Sequence, residues 1–172
     1  DFVLLGPASD PARVSSVKTI EKALKKIALM ESFFASRGDD SGTHRAELKL
    51  WRLAGINPVL NSGKWYLETG SGMGATLNFA GEREAYVLAD RATWLSFRSK
   101  RHLKILFEGD KKLFNQYGLI GINKLRCPHV DSGLTNSVID WLLSEKGQVL
   151  IGHFKVDDQQ LFYPNAEVSY EN

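Results

Sequence analysis

An α/β fold is predicted from three features of this 172-residue sequence. Short apolar runs of strand length alternate with segments whose apolar residues recur at helical spacing. Twice the order is strand, glycine-containing polar turn, helix: FFASRGDDSGTHRAELKLW from Phe33 to Trp51, and WYLETGSGMGATLNFA from Trp65 to Ala80. No fixed-period repeat or low-complexity segment competes with that pattern.

Taken in order, Phe2 to Leu5 is a strand closed by the Gly6-Pro7 turn. Ser9-Asp10-Pro11 continues the loop. Ser15 or Ser16 is expected to cap a helix running to about Ser32, with Val17, Ile20, Ala23, Leu24, Ile27 and Ala28 at helical spacing. Lys18, Lys22, Lys25 and Lys26 between them read as its solvated face. Phe33 to Ala35 ends a buried strand, and Ser36 to Gly42 is a polar turn. An amphipathic helix starts at Thr43, with Leu48, Trp51 and Leu53 on or near one side and Gly55 at its C-terminal end. Asn57 to Lys64 is loop, and Trp65 to Glu68 a short strand. The turn Thr69–Gly74 leads into a helix through Ala75, Leu77, Phe79 and Ala80.

Tyr86 to Ala89 is the next strand, and Asp90 can cap a helix through Trp94, Leu95 and Phe97. Leu103 to Phe107 is a strand, Glu108 to Lys112 a charged turn, and Tyr117 to Ile122 a second strong strand. Cys127-Pro128-His129 is loop, Leu134 to Leu143 a helix, and Gln148 to Phe154 a further helical turn after the interruption at Glu145-Lys146-Gly147. The tail from Gln159 is expected to run extended on the surface.

Composition narrows the function classes. Hydrophobic residues make up 43% and charged residues 24% of the chain, as in globular proteins. Twenty-two basic and 20 acidic residues leave a net charge of +2, too balanced for a nucleic-acid or anionic-membrane partner. No apolar run approaches the ~20 residues of a spanning helix. Cys127 stands alone, so no internal disulfide forms, and His44, His102, His129 and His153 are scattered without metal-ligand spacing. No metal site and no cofactor are expected. The sequence opens on an apolar run without Met, and an N-terminal portion is expected to precede it.

The turn SRGDDSGT carries the chemistry. The first N–H groups of a helix lack intrahelical partners, and the macrodipole adds positive potential there, so a strand–turn–helix junction can capture small anions. Backbone N–H groups from Gly38 to Thr43 (Gly42 among them), the hydroxyls of Ser36, Ser41 and Thr43, and the Arg37 guanidinium would form an oxyanion cradle. The competing reading is an ordinary loop in which Asp39 or Asp40 caps the helix and Arg37 is paired with an acidic neighbour. Ser71, Gly72 and Met73, in the second turn, would form another wall of the same cleft, or a tight turn that packs a helix on a sheet. The bare GxGxG there matches neither the dinucleotide fingerprint nor a P-loop.

Seven stretches in the same order resemble the tungstate-binding proteins of bacterial ABC importers, a branch of the type II periplasmic binding proteins. These are DFVLLGP, SRGDDSGTH, WYLETGSGMGATLN, AYVLADRATW, FNQYGLIGIN, DWLLSEKGQ and LIGHFKVDDQQLFYPNA. The resemblance implies two α/β lobes joined by two crossing strands, with the first lobe incomplete in this chain. Residues 1–7 would be the first crossing strand, 8–114 the second lobe, 115–123 the return crossing strand, and 124–172 the C-terminal part of the first lobe. It also implies a non-enzymatic, monomeric solute-binding protein, periplasmic or membrane-anchored outside the cell. Such a protein captures tungstate or molybdate as the oxyanion and passes it to an ABC permease. Arg37 would be the charged anion ligand, with Thr43, Ser41 and local N–H groups donating from the helix start. Phosphate-binding proteins of the same fold carry a similar cluster, so phosphate stays open. So does an enzyme or sensor domain for a phosphorylated small molecule, with His44 the histidine nearest the site.

Overall fold

The computed structural model describes residues 1–166 and separates the chain into two units, residues 1–115 and 116–172. The tail residues 167–172 lie outside the described residues.

The first unit is built on a mixed five-stranded sheet of order β3-β2-β4-β1-β5. Its strands are β1 (Phe2–Pro7), β2 (Phe34–Ser36), β3 (Tyr66–Glu68), β4 (Tyr86–Asp90) and β5 (Leu103–Phe107). β2 runs parallel to both β3 and β4, whereas β1 is antiparallel to β4 and β5. Every residue of β1 is buried, as its unbroken apolar run requires of a strand covered on both faces. Gly6 sits where a Cβ would come within 2.5 Å of the Tyr86 ring, so only glycine lets β1 pass there.

Strand alternation sorts the core into two layers. Leu4, Phe34, Tyr66 and Tyr86 point to one face, where α1 (Ile20–Leu29) and α2 (Gly42–Leu53) add Ile20, Ile27, Leu50 and Trp51. Val3, Leu5, Ala35, Val87 and Ala89 point to the other, against Leu77 of α3 (Met73–Arg83) and Trp94 of α4 (Arg91–Ser96). Phe34, Trp51, Trp65 and Tyr66 pack as an aromatic cluster with ring centroids 5.1–6.4 Å apart.

Three expectations for this unit are corrected. The helix expected from Ser15 or Ser16 starts at Ile20, capped by Thr19. Asp10 accounts for the delay. Its carboxylate accepts the N–H groups of Val14 and Ser15, the Ser15 hydroxyl and the Tyr86 hydroxyl, and so stitches Val14–Ser16 into a separate 3₁₀ turn. The buried face of α2 consists of Glu47, Leu50 and Trp51, followed by Ala54, while Leu53 is half exposed. The Asn57–Lys64 loop contains a 3₁₀ turn at Pro58–Asn61.

The second unit holds α5 (Ser132–Leu143), α6 (Glu145–His153) and a short hairpin of β6 (Lys155–Val156) and β7 (Gln159–Gln160). The strand expected over Tyr117–Ile122 is absent: no ladder pairs that segment among the described residues, and its side chains are exposed. A strand is defined by a partner, which an apolar run cannot supply for itself. α6 starts three residues earlier than expected because Ser144 accepts the Gly147 N–H and caps it. The tail starts in extended backbone at Gln159, as expected, with Gln159 and Gln160 paired to Val156 and Lys155 across a turn at Asp157-Asp158.

Candidate functional site

Because β2 and β3 are parallel neighbours, with Ser36 opposite Glu68, they deliver their following loops to the same end of the sheet. In open α/β sheets the carboxyl ends of parallel strands are where ligands bind. The loop after β2 enters α2 at Gly42, and the loop after β3 enters α3 at Met73. The loops are tied together. Thr69 N–H donates to the Ser36 carbonyl at 2.9 Å and Ser71 N–H to the Arg37 carbonyl at 3.2 Å. The Thr69 hydroxyl also lies 2.8 Å from that of Thr76, which donates to the Gly72 carbonyl. Two helix starts therefore stand side by side.

Ser41 caps α2, its hydroxyl accepting the His44 N–H at 3.3 Å. Among the described residues, no hydrogen bond engages the N–H groups of Gly42 and Thr43. Gly72 stands at the cap of α3 and has no side chain to satisfy that helix's first donors. Met73 is buried, so only its backbone is available at this edge. The Ser71 hydroxyl donates to the Thr69 carbonyl.

Arg37 is paired with Asp39, its Nη2 and Nε lying 2.5 and 3.1 Å from one carboxylate oxygen. The other oxygen accepts the Ser41 N–H at 3.2 Å. Hydrogen bonding from Ser41, then the Arg37 guanidinium, holds the Asp39 carboxyl down at about 2, so it is ionised at neutral pH. Of the alternatives left open by the sequence, Asp39 clamps the arginine. Two of the five Arg37 N–H donors are spent there and three remain. Asp40, at φ 58°, pairs with Arg45 and gives its N–H to His44 Nδ1 at 3.1 Å. Gly38, at φ 60°, passes so close over β3 that a Cβ would lie 2.9 Å from the Glu68 Cβ.

Ser36 faces inward, as strand alternation demands two residues after Phe34. Its buried hydroxyl donates to Glu47 at 2.7 Å and is not a free donor at the loop. Glu47 also accepts the Tyr66 hydroxyl at 2.7 Å. Burial raises the Glu47 carboxyl to about 7 against the lowering effect of those two donors. Sequence reasoning missed Glu47, although one signal was present: positions 47, 50, 51 and 54 form one helical stripe, otherwise apolar. It also missed the Thr69–Thr76 brace, which needs the two loops in place.

The arrangement offers backbone donors and one clamped guanidinium, with Asp39 engaged by Arg37 and Ser41, Asp40 by Arg45, and Glu68 by the Ser62 hydroxyl. His44 has Nδ1 engaged and Nε2 buried without a partner, so it does not stand as a solvent-facing acid or base.

A profile of the PBP superfamily domain matches residues 1–146. The tungstate-binding protein TupA of Peptoclostridium acidaminophilum is 44% identical over 170 residues, covering 96% of this chain and 58% of that protein. The chain thus spans a little over half the length of that relative. Among solved structures, the tungstate-binding protein TupA of Desulfovibrio alaskensis G20 superposes with a TM-score of 0.82 at 44% identity, covering 97% of this chain and 68% of the other. The tungstate ABC transporter structure from Geobacter sulfurreducens gives 0.79 at 44% identity, covering 90% and 64%.

Proposed function

The chain belongs to the PBP superfamily, and from that membership we propose that it is part of an extracytoplasmic solute-binding protein that captures a tetrahedral oxyanion, tungstate or molybdate, for an ABC transporter. The observation that carries this reading is the state of Asp39. Monohydrogen phosphate keeps a proton and calls for an acceptor, whereas tungstate and molybdate are fully deprotonated near neutral pH and call for donors only. Asp39 is ionised and committed to Arg37 and Ser41, and Asp40 is committed to Arg45. What is left at the loop is dominated by donors and holds no uncommitted aspartate: three N–H groups of Arg37, the Gly42 and Thr43 N–H groups, the Thr43 hydroxyl and the start of α3 at Gly72-Met73. The names of the relatives point the same way.

In this reading residues 8–114 form one lobe, residues 1–7 and 115–123 connect it to the other, and residues 124–172 belong to that other lobe. The protein acts as a monomer and catalyses nothing. No helix among the described residues is long and apolar enough to cross a membrane.

Isothermal calorimetry of the full-length protein tests the assignment. The Arg37→Ala variant loses a charged donor fork and leaves Asp39 uncompensated beside the anion, so tungstate affinity should fall on the order of 10- to 100-fold. Phosphate should not compete in the wild type. Unchanged tungstate binding in the variant, or phosphate binding as tight as tungstate, would remove the assignment.

A further inference from the structure

Glu47 lies directly beneath the proposed site and none of the chemistry above uses it. It projects from α2 into the core, 3% exposed. One carboxyl oxygen takes the hydroxyl of Ser36, the residue before Arg37, and the other takes the hydroxyl of Tyr66 on β3, each at 2.7 Å. A single side chain thus joins the three elements that carry the two loops. Among the described residues, no basic side chain pairs with it. From β2 it meets Ser36. From β3 it meets Tyr66 and the like charge of Glu68, and on its own helix Trp51, whose buried indole N–H makes no regular hydrogen bond.

We propose that capture of an oxyanion at the β2–α2 loop is coupled to uptake of a proton by Glu47. The inference rests on the oxyanion function proposed above. A dianion held by the Arg37–Thr43 loop brings negative charge over a buried carboxyl that has hydroxyl donors but no counter-ion. That charge disfavours the carboxylate and favours the acid. Burial pushes the Glu47 carboxyl up to about 7 against the Ser36 and Tyr66 donors, and a nearby anion pushes it in the same direction. The sign follows from linkage. The bound form holds its proton more tightly, so binding near and above pH 7 takes up protons, and affinity falls as pH rises through that range. Each unit by which the anion raises Glu47 corresponds to about a tenfold loss of affinity between the protonated and ionised limits.

The test is calorimetric titration of the full-length protein with sodium tungstate at pH 7.5, in two buffers of different ionisation enthalpy. The buffer dependence gives the number of protons exchanged. Tungstate remains a dianion across pH 7–9, so its own protonation contributes nothing. A substantial fraction of a proton should be taken up by the wild type and none by Glu47→Gln, and affinity should decline from pH 7 to 9 only in the wild type. His44 is present in both proteins, so their difference reads Glu47. Tyr66→Phe guards against a variant that fails to fold. Removing that donor destabilises the carboxylate and should move the uptake window to higher pH. Tungstate binding without proton uptake in the wild type, equal uptake in Glu47→Gln, or an unmoved window in Tyr66→Phe overturns the inference and leaves the proposed function standing. Absence of tungstate binding at any pH removes both.

Discussion

Gly38 shows how tightly the candidate site is specified by single residues. The backbone there has φ 60°, a conformation that costs an L-residue about 1–2 kcal/mol. A methyl group would also press on the Glu68 Cβ at 2.9 Å, and that atom is anchored in β3 rather than at the end of a flexible chain. Asp40 has a similar φ of 58° but is exposed, and its side chain reaches out to Arg45. Only the first of these two positions excludes a side chain by contact. The Gly38→Ala variant should therefore lose about 1–3 kcal/mol in urea unfolding, from the backbone and contact terms together. It should also weaken tungstate binding, because Arg37 and Asp39 flank it. A variant with wild-type midpoint and affinity would show that the loop does not need this approach to β3. Residue type alone does not convey such roles. The serines at 36 and 41 both lie in SRGDDSG, yet one is a buried donor to Glu47 and the other an N-cap, because the first still obeys strand alternation and the second has left the strand.

At the level of elements, α2 and α3 begin differently. α2 has a hydroxyl cap at Ser41, while α3 starts from Gly72 with none. Losing the Ser41 hydroxyl frees the His44 N–H and should cost about 1 kcal/mol of stability, read as a lower unfolding midpoint. Tungstate affinity should change less than in Arg37→Ala, since the backbone donors of Gly42 and Thr43 are untouched. A fall in affinity as large as that of Arg37→Ala would show that Ser41 binds the anion through its hydroxyl. The elements that were legible in the sequence are those whose signals are local. The runs at β1, β4 and β5, and the cap at Asp90, are written in neighbouring residues. The illegible parts depend on distant partners. The start of α1 is displaced by Asp10 bonding to Tyr86, 76 residues away. YGLIGI has strand composition and no strand beside it. The site divides in the same way. Arg37, Gly38 and Ser41 lie in the loop, and Gly42 and Thr43 in the first turn of α2, as the turn-then-helix pattern suggests. The partnership of Ser36 with Glu47 and the burial of Met73 follow from tertiary packing, whereas the Arg37–Asp39 clamp is a local pair two residues apart.

Across the whole chain, burial is distributed unevenly between the two units. In the first, all six residues of β1 are buried, with apolar layers on both faces of the sheet. In the second, α5 has no buried residue, and Leu134, Val138 and Trp141 leave one stripe of that helix 48–67% exposed. Tyr117, Leu119, Ile120, Ile122 and Leu125 are exposed as well. Hydrophobic burial is the main term that offsets chain entropy, so the two units of the 172-residue chain should differ in local stability. Hydrogen exchange on that chain should find the amides of β1 and β4 opening only with global unfolding. Those of α5, and of the segment from Tyr117 to Leu125, should exchange orders of magnitude faster. Helical hydrogen bonds alone do not rescue α5, because an isolated helix of 12 residues is marginal in water without a packed face. Protection of α5 equal to that of β1 would mean that its helix is stabilised by something other than buried apolar area, and the burial argument for the second unit would fail.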